Sequence, residues 1–439
     1  MLKFLNLSKL YSFYNKYNVV FVIAAFPLGI LAAARIPSIM GVSSAAVEKF
    51  IDMLCFLAPL AIFIVLAPSL AGLFKEKGGS SFVGKTFLWF SVTRIIAAVW
   101  AVLFTSLALG LPFFADGQTT ISDLTVTQSL LIIGRTLLGN PIFIAIWSSS
   151  LIAIAALYFA KLYNALRLAA QAIDSIGNFL SPFIPLMMFI LGGYIYSLPE
   201  ILKSSLSASA TADLTSQGVG KLDIFGLDAS VSTGYGIVLI YLFGSFLIGI
   251  GCFIWQAMSV LLVKAYVRNP FFIRGFIKRY WIKVYPLAWA TSSEVVSMPL
   301  NMALIKENYK IDSNVRRLVL GLGAYLNVNG TTMHVILLTG IVAILVGIHP
   351  SFTQLLTLVP IVVLIGYGVP GIPGELVLFA LPVAQVLRIP ADALAPFMAL
   401  FLALQMGLPD SFRTGTNVTD NGLYAILINH FYQRRLKKR

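Results

Sequence analysis

The chain has 439 residues, 59% of them hydrophobic and only 11% charged, with a net charge of +14 and a mean hydropathy of +0.90. A soluble domain carries about 25% charged residues, so this composition excludes a water-solvated globular protein and leaves lipid as the main solvent. The basic residues sit in short clusters between apolar runs, not on one helix face with interleaved aromatics; that excludes a nucleic-acid partner and fits the cytoplasmic bias of positive charge in membrane proteins.

In chain order, Lys3, Lys9 and Lys16 precede the apolar run Val19–Ala34. A charged start followed by an apolar run also describes a cleaved leader, but the late start and the many spans that follow favour a first membrane helix. Apolar segments of crossing length lie near Val19–Ile39, Phe50–Phe74, Thr86–Phe114, Gln128–Phe159, Ile173–Leu198 and Tyr235–Val263, each close to or above the ~20 residues a membrane helix needs. The linkers alternate in charge. The set of the N-terminus, Lys75/Lys77/Lys85, Lys161/Arg167 and Lys264–Arg279 is far more basic than the set of the linker with Arg35, the acidic 115–124 stretch and the Ser/Ala/Gly-rich 204–234 stretch. The basic set belongs in the cytoplasm, as does the tail Arg434-Arg435-Leu436-Lys437-Lys438-Arg439, which suits anionic headgroups. The pattern describes a multi-pass protein of the inner or plasma membrane with both termini cytoplasmic. Cys55 and Cys252 lie inside apolar runs and read as packing residues, and three histidines without metal-ligand spacing give no metalloenzyme signature.

From Trp281 onward the apolar sequence exceeds two crossings and is interrupted four times. Thr291–Glu294 and Gly366–Gly374 look like the tips of hairpins that enter the membrane without crossing it. Asn327–Thr332 and the stretch from Asp410 to Asn421 look like breaks within membrane helices. Irregular backbone survives at membrane depth only where protein, ligand or trapped water satisfies it, and paired interruptions point to a transporter's binding site. Asp410, Arg413, Thr414, Asn417 and Asn421 fall at i, i+3, i+4, i+7 and i+11, one face of a helix. A charge at the centre of a membrane helix costs about 2.5–3.5 kcal/mol. An Asp–Arg pair that cancels itself is one account of the stripe. The other is a zwitterionic guest, with Arg413 on its carboxylate, Asp410 on its ammonium, and Thr414 and Asn417 fixing its orientation.

These motifs together resemble the dicarboxylate/amino acid:cation symporter family, the glutamate-transporter homologues. Ala290-Thr291-Ser292-Ser293-Glu294 is similar to the family's serine-rich first hairpin tip, and Asn327-Val328-Asn329-Gly330-Thr331 to its Asn-Met-Asp-Gly-Thr break in the seventh helix. Gly368-Val369-Pro370-Gly371 is similar to its second tip, and Asp410-Ser411-Phe412-Arg413-Thr414 with Asn417-Val418-Thr419 to its eighth-helix substrate motif.

The resemblance implies an all-α membrane protein of eight transmembrane helices and two re-entrant hairpins, built as inverted repeats and working as an elevator within a homotrimer. It implies scaffold helices one to four over residues 1–168 (the third partly in the transport domain), helices five and six over 169–265, and a transport core over 266–439. It implies a secondary transporter, not an enzyme, for an acidic amino acid such as aspartate or glutamate, or a dicarboxylate. The implied substrate contacts are Asp410, Arg413, Thr414, Asn417, Thr331, Ser293, Glu294 and Val369. An anion-conducting pore and an inactive or sensing homologue of the same fold are the alternatives.

The chain departs from the family in its cation chemistry. Asn329 and Asn421 stand where the family carries sodium-ligating aspartates, with Asp420 one residue earlier on a different face. Thr93-Arg94 stands where a Thr-Ser or Thr-Thr pair is expected, so a guanidinium would substitute for an ion, unless Arg94 simply faces a headgroup. Sodium, if bound, falls to Asn327, Asn417 and Asn421. Glu294 replaces a serine at the first tip, and a carboxyl that loses its charge on burial can donate a hydrogen bond there. Glu375 follows the second tip, and His334 follows Thr331 by three residues; intramembrane acids and histidines mark proton relays. The expectation is no cofactor, with coupling to protons, or to none, favoured over the full sodium set.

Overall fold

The computed structural model describes residues 24–43, 79–114, 141–166, 220–224, 227–292, 294–311, 313–369 and 374–436, with scattered single residues between them. The predicted span near 50–74 falls almost entirely outside these and that near 173–198 for the most part, while Ser293 and residues 370–373 of the second tip lie wholly outside.

The described chain is mostly helical, as expected. Helix α1 (Gly79–Ala108) and helix α2 (Pro141–Tyr158) carry parts of the third and fourth predicted spans. One departure follows: the Ser/Ala/Gly-rich linker holds an antiparallel hairpin of β1 (Lys221–Ile224) and β2 (Leu227–Ser230), with Lys221 opposite Ser230 and Ile224 opposite Leu227. The alternation Lys-Leu-Asp-Ile buries Leu222 and Ile224 against the core, a period-2 pattern that suits a half-buried strand. Helix α3 (Gly234–Val267) follows. Thr233 caps its start by accepting from the Gly236 amide, and Arg268 in left-handed backbone ends it. Both α1 and α3 carry large apolar side chains outward, among them Leu88, Ile96, Phe246 and Leu261, as lipid-facing helices do.

A short helix at Phe272–Phe276 runs into a π turn at Ile277–Trp281 and then into helix α4 (Ile282–Thr291). Ser292, with φ +46, reverses the chain into helix α5 (Glu294–Tyr309); this is the first predicted tip. Helix α6 (Ser313–Leu326) and helix α7 (Asn329–Leu345) are the two halves of the seventh helix, parted only at Asn327–Val328. The break is narrower than the sequence pattern suggests, because Asn329 to Thr332 already belong to α7. In α7 every residue but Ile344 is buried, so it runs through the centre of the molecule.

Helix α8 (Phe352–Ile365) and helix α9 (Val377–Val386) flank the second tip and pack against each other. Helix α10 (Ala391–Leu404) leads to helix α11 (Leu408–Leu436). Here a second expectation is corrected. The eighth helix does not break across Asp410–Asn421; it is continuous there, and the 63° bend lies before it, at residues 405–407. Gly407, at φ +82, supplies the left-handed turn. The phenol of Tyr241 on α3 donates to Met406 O at 2.7 Å and accepts from the Leu408 amide at 2.8 Å, satisfying backbone groups that the bend releases from the helix.

Among the described residues three helices are long and apolar enough to cross a membrane (84–108, 235–267 and 319–345), or four if the bent α10–α11 pair counts as one. Two apolar clusters enclose the region of the tips and the α6–α7 break, besides a smaller one around Ala67, Ala71, Ala153, Ala156 and Leu166. One gathers α7 with α3, α8, α9 and α10; the other gathers α4, α5 and α6 with the C-terminal half of α11, and Tyr367 packs against both.

Candidate functional site

The site is built on α11, which packs against α3, α4, α5, α6 and α7. Small residues allow the close approach. Gly330 at the start of α7 lies against the main chain of Arg413, where a Cβ would have no room, and Gly415 faces the Tyr285 ring, whose nearest atom would sit 2.7 Å from an added Cβ. The predicted stripe is therefore enclosed by protein. Asp410, Arg413, Thr414 and Asn417 are all fully buried.

Asp410 and Arg413 lie together, the second tip bonds both of them, and the first tip bonds the same helix at Ser411 and Asn417. Arg413 Nε donates to Asp410 Oδ1 at 2.6 Å, and Arg413 Nη1 donates to Thr331 Oγ1 at 3.1 Å and pairs directly with Glu375 Oε1. Thr331 Oγ1 also donates to Glu375 Oε1 at 3.1 Å. The Gly374 amide donates to Asp410 Oδ2 at 2.8 Å. From the first tip, Glu294 Oε1 accepts from Asn417 Nδ2 at 3.0 Å, while Ser292 Oγ lies 3.1 Å from Ser411 Oγ. Asn417 holds the break together, since its Oδ1 accepts from the Gly330 amide at 2.7 Å and its Nδ2 also reaches Thr331 Oγ1 at 3.1 Å. Thr414 Oγ1 and Glu294 Oε2 are buried without a hydrogen-bond partner.

The pair expected to stand open for a guest is thus closed on itself and on the second hairpin. Glu375, expected as a relay acid beside the second tip, is in direct contact with Arg413. Three carboxyl groups, Glu294, Glu375 and Asp410, interact with one guanidinium. Removing one partner of such a buried arrangement costs about 3–5 kcal/mol, because the remaining charge has no water to turn to.

The expected cation residues separate into three places. Asn327 Nδ2 donates to Asn421 Oδ1 at 2.9 Å and to Asn417 O at 3.0 Å, so the candidate sodium ligands Asn327, Asn417 and Asn421 are bonded to one another; Asn327 Oδ1 has no partner. Asn329 turns instead to Asp420, with Nδ2 to Oδ2 at 3.2 Å. Asp420, set aside in the sequence because it leaves the stripe, is fully buried and gathers neutral donors: Trp255 Nε1 at 2.8 Å, Gln256 Nε2 at 3.5 Å and the Tyr424 hydroxyl at 3.5 Å, besides Asn329.

Arg94 does not face a headgroup. It is fully buried, donates Nη1 to Val363 O at 3.0 Å and Nη2 to Leu326 O, and lies 4.1 Å over the Tyr367 ring. Among the described residues it has no carboxylate partner; two main-chain carbonyls, one at the end of α6 and one near the end of α8, and a π face hold its charge. The neighbouring Thr93 bonds back to Trp89 O and Phe90 O in its own helix.

Two further expected residues make no hydrogen bond to the stripe through their side chains. Val369 is buried in the apolar core. His334 is buried, with neither ring nitrogen hydrogen-bonded, so no bond links it to the acids of a relay. Among the described residues no group of three or more His, Cys, Asp or Glu side chains is placed to hold a metal ion.

Comparison with known proteins agrees with this architecture. Residues 221–431 match the model of the sodium:dicarboxylate symporter family. Human excitatory amino acid transporter 1 is 29% identical over 172 residues, covering 39% of this chain and 30% of that protein. An excitatory amino acid transporter of Caenorhabditis elegans is 27% identical over 165 residues, covering 37% and 31% respectively. Human excitatory amino acid transporter 5 is 28% identical over 185 residues, covering 42% and 31%. The matched stretch thus spans under a third of the length of each relative. The matched region holds both hairpins, the broken seventh helix and the whole of the stripe on α11. Residues 221–431, just under half of this chain, are thus similar to the sodium:dicarboxylate symporter family, a family of transporters.

Proposed function

We propose that the protein is a secondary active transporter that carries an acidic amino acid, aspartate or glutamate, across the cell membrane. The observation that carries this reading is the placement of Asp410 and Arg413: opposite charges three residues apart, fully buried, at the meeting point of both hairpin tips and the α6–α7 break. A charged pair at such depth is expensive, and a guest bearing both an ammonium and a carboxylate has a use for each member. Thr331 and Asn417 stand beside the pair, in reach of the same guest.

The coupling ion is the proton in preference to the full sodium set. Sodium wants several oxygen ligands with negative charge among them. Here Asn327, Asn417 and Asn421 present uncharged amides, with Asn327 already donating to the Asn421 side chain and to the Asn417 main-chain carbonyl, and the Arg94 guanidinium takes two main-chain carbonyls near the helix break. An anionic substrate also enters a site holding three carboxyl groups and one guanidinium, so positive charge has to accompany it. In this reading residues 266–439 move as a transport core against a scaffold drawn from 1–168, within a homotrimer whose protomers work independently, and both termini are cytoplasmic.

The test is counterflow of labelled L-aspartate and L-glutamate in proteoliposomes, with sodium replaced by choline and a pH gradient imposed. Saturable exchange that persists in choline is the expected outcome. Strict sodium dependence would end the proton reading, and no exchange of either amino acid would end the substrate reading.

A further inference from the structure

Two successive residues of the second hairpin satisfy the poles that the substrate reading assigns to the guest. Gly374 presents a backbone N–H to Asp410 at 2.8 Å, in the position of an ammonium donor. Glu375 presents a carboxylate to Arg413 Nη1, in the position of the guest's acid, and takes the Thr331 hydroxyl at 3.1 Å as well. Gly374 has φ +78, left-handed backbone that favours glycine, and this turn carries both groups onto α11 together. We infer that Gly374–Glu375 is a built-in stand-in for the ligand, and that Glu375 sets specificity by competing with the ligand's side-chain carboxylate for Arg413. The inference rests on the substrate reading above and deepens it.

Charge decides between a competitor and a permanent counter-ion. Glu294 and Asp410 already interact with the same guanidinium. An acidic amino acid brings two carboxylates, so added while Glu375 stays it would crowd five carboxyl groups around one cation in a water-poor site, where like charges close together are strongly disfavoured. Exchange removes one of them. When Glu375 leaves, Arg413 keeps Asp410 on Nε, so the guanidinium is never stranded, and the ligand's carboxylate takes over on Nη1. The ligand class follows: an amino acid whose ammonium replaces the Gly374 N–H and whose side-chain carboxylate replaces Glu375. A neutral amino acid offers nothing to exchange for Glu375. The same substitution frees the hairpin from α11, so the second tip is latched in the ligand-free protein.

The experiment uses full-length protein in lipid nanodiscs and two readouts. Hydrogen–deuterium exchange over residues 374–386 without ligand measures the latch. Thermal-shift titration with L-aspartate and with L-alanine measures selectivity. In Glu375→Gln the hairpin peptide is expected to exchange faster than in the wild type, and the apparent affinity for L-aspartate to tighten about tenfold as the competing state is removed; L-alanine binding gains less. Glu375→Asp, which keeps the charge and shortens the reach, shifts both readouts in the same direction by less and serves if the glutamine variant does not fold. Unchanged exchange, or weaker aspartate binding in both variants, overturns the inference. If neither wild type nor variants bind any acidic amino acid, the substrate reading fails, and the exchange comparison alone judges the latch.

Discussion

Replacing Arg413 by methionine is the most severe single change the site can suffer. The guanidinium is fully buried and bonds Asp410, Glu375 and Thr331; its loss leaves two carboxylates without their cation. Breaking one buried pair costs about 3–5 kcal/mol, and a whole domain has only about 5–15 kcal/mol to lose. Asp410→Asn is milder, because Arg413 retains Glu375 and the asparagine oxygen still accepts from the Gly374 amide. Its expected cost is that of weakening one charged hydrogen bond, about 1.5–3 kcal/mol. The two changes share one network, so the double variant should recover about 0.5–3 kcal/mol relative to the sum of the singles. Denaturant unfolding of the purified protein in detergent, followed by tryptophan fluorescence, measures all three. An Arg413→Met variant within about 0.5 kcal/mol of wild type, the range of an ordinary surface substitution, would refute the charge balance on which the site description stands.

Further outcomes follow from the surrounding geometry. Arg94→Ser removes a guanidinium bonded to Leu326 O and Val363 O and should create stabilisation by sodium chloride over choline chloride in a thermal-shift assay; equal melting in both salts would show that the guanidinium does not stand in an ion's place. Gly330→Ala drives a Cβ into the Arg413 main chain and should destabilise by about 1–3 kcal/mol, with loss of aspartate binding. Asp420→Ala strands the Trp255 indole N–H at about 1–3 kcal/mol for that buried orphan, while Asn329 keeps the Tyr424 hydroxyl; altered Trp255 emission, read in single-tryptophan protein, reports it.

The sequence made the poles legible because helical spacing alone puts Asp410, Arg413, Thr414 and Asn417 on one flank. It misplaced the break in that helix. Polar residues at membrane depth read as an opening in the backbone, yet their side chains find partners on α4, α5, α7 and the second hairpin, and the helix runs through. The true bend sits at Gly407, in a stretch whose signal is a single glycine. Glu375 was legible as an acid beside the second tip, but its pairing with Arg413 was not, because that depends on the approach of a hairpin from far along the chain, which no local pattern contains. Asp420 escaped for a rotational reason. One residue on a helix turns about 100°, so leaving the stripe was read as leaving the site, when it meant facing Asn329 and α3. Strands β1 and β2 were hidden by their shortness inside a small-residue linker.

The phenol of Tyr241 ties α3 to the elbow ahead of α11 from both sides of the bend, accepting from one residue and donating to another. A joint spliced in this way is poorly suited to flex: opening its angle would break two bonds at once, with no water at hand to replace them. In the proposed elevator motion α3 would therefore travel with α11 as ballast, and the compliance would have to be sought in other connections.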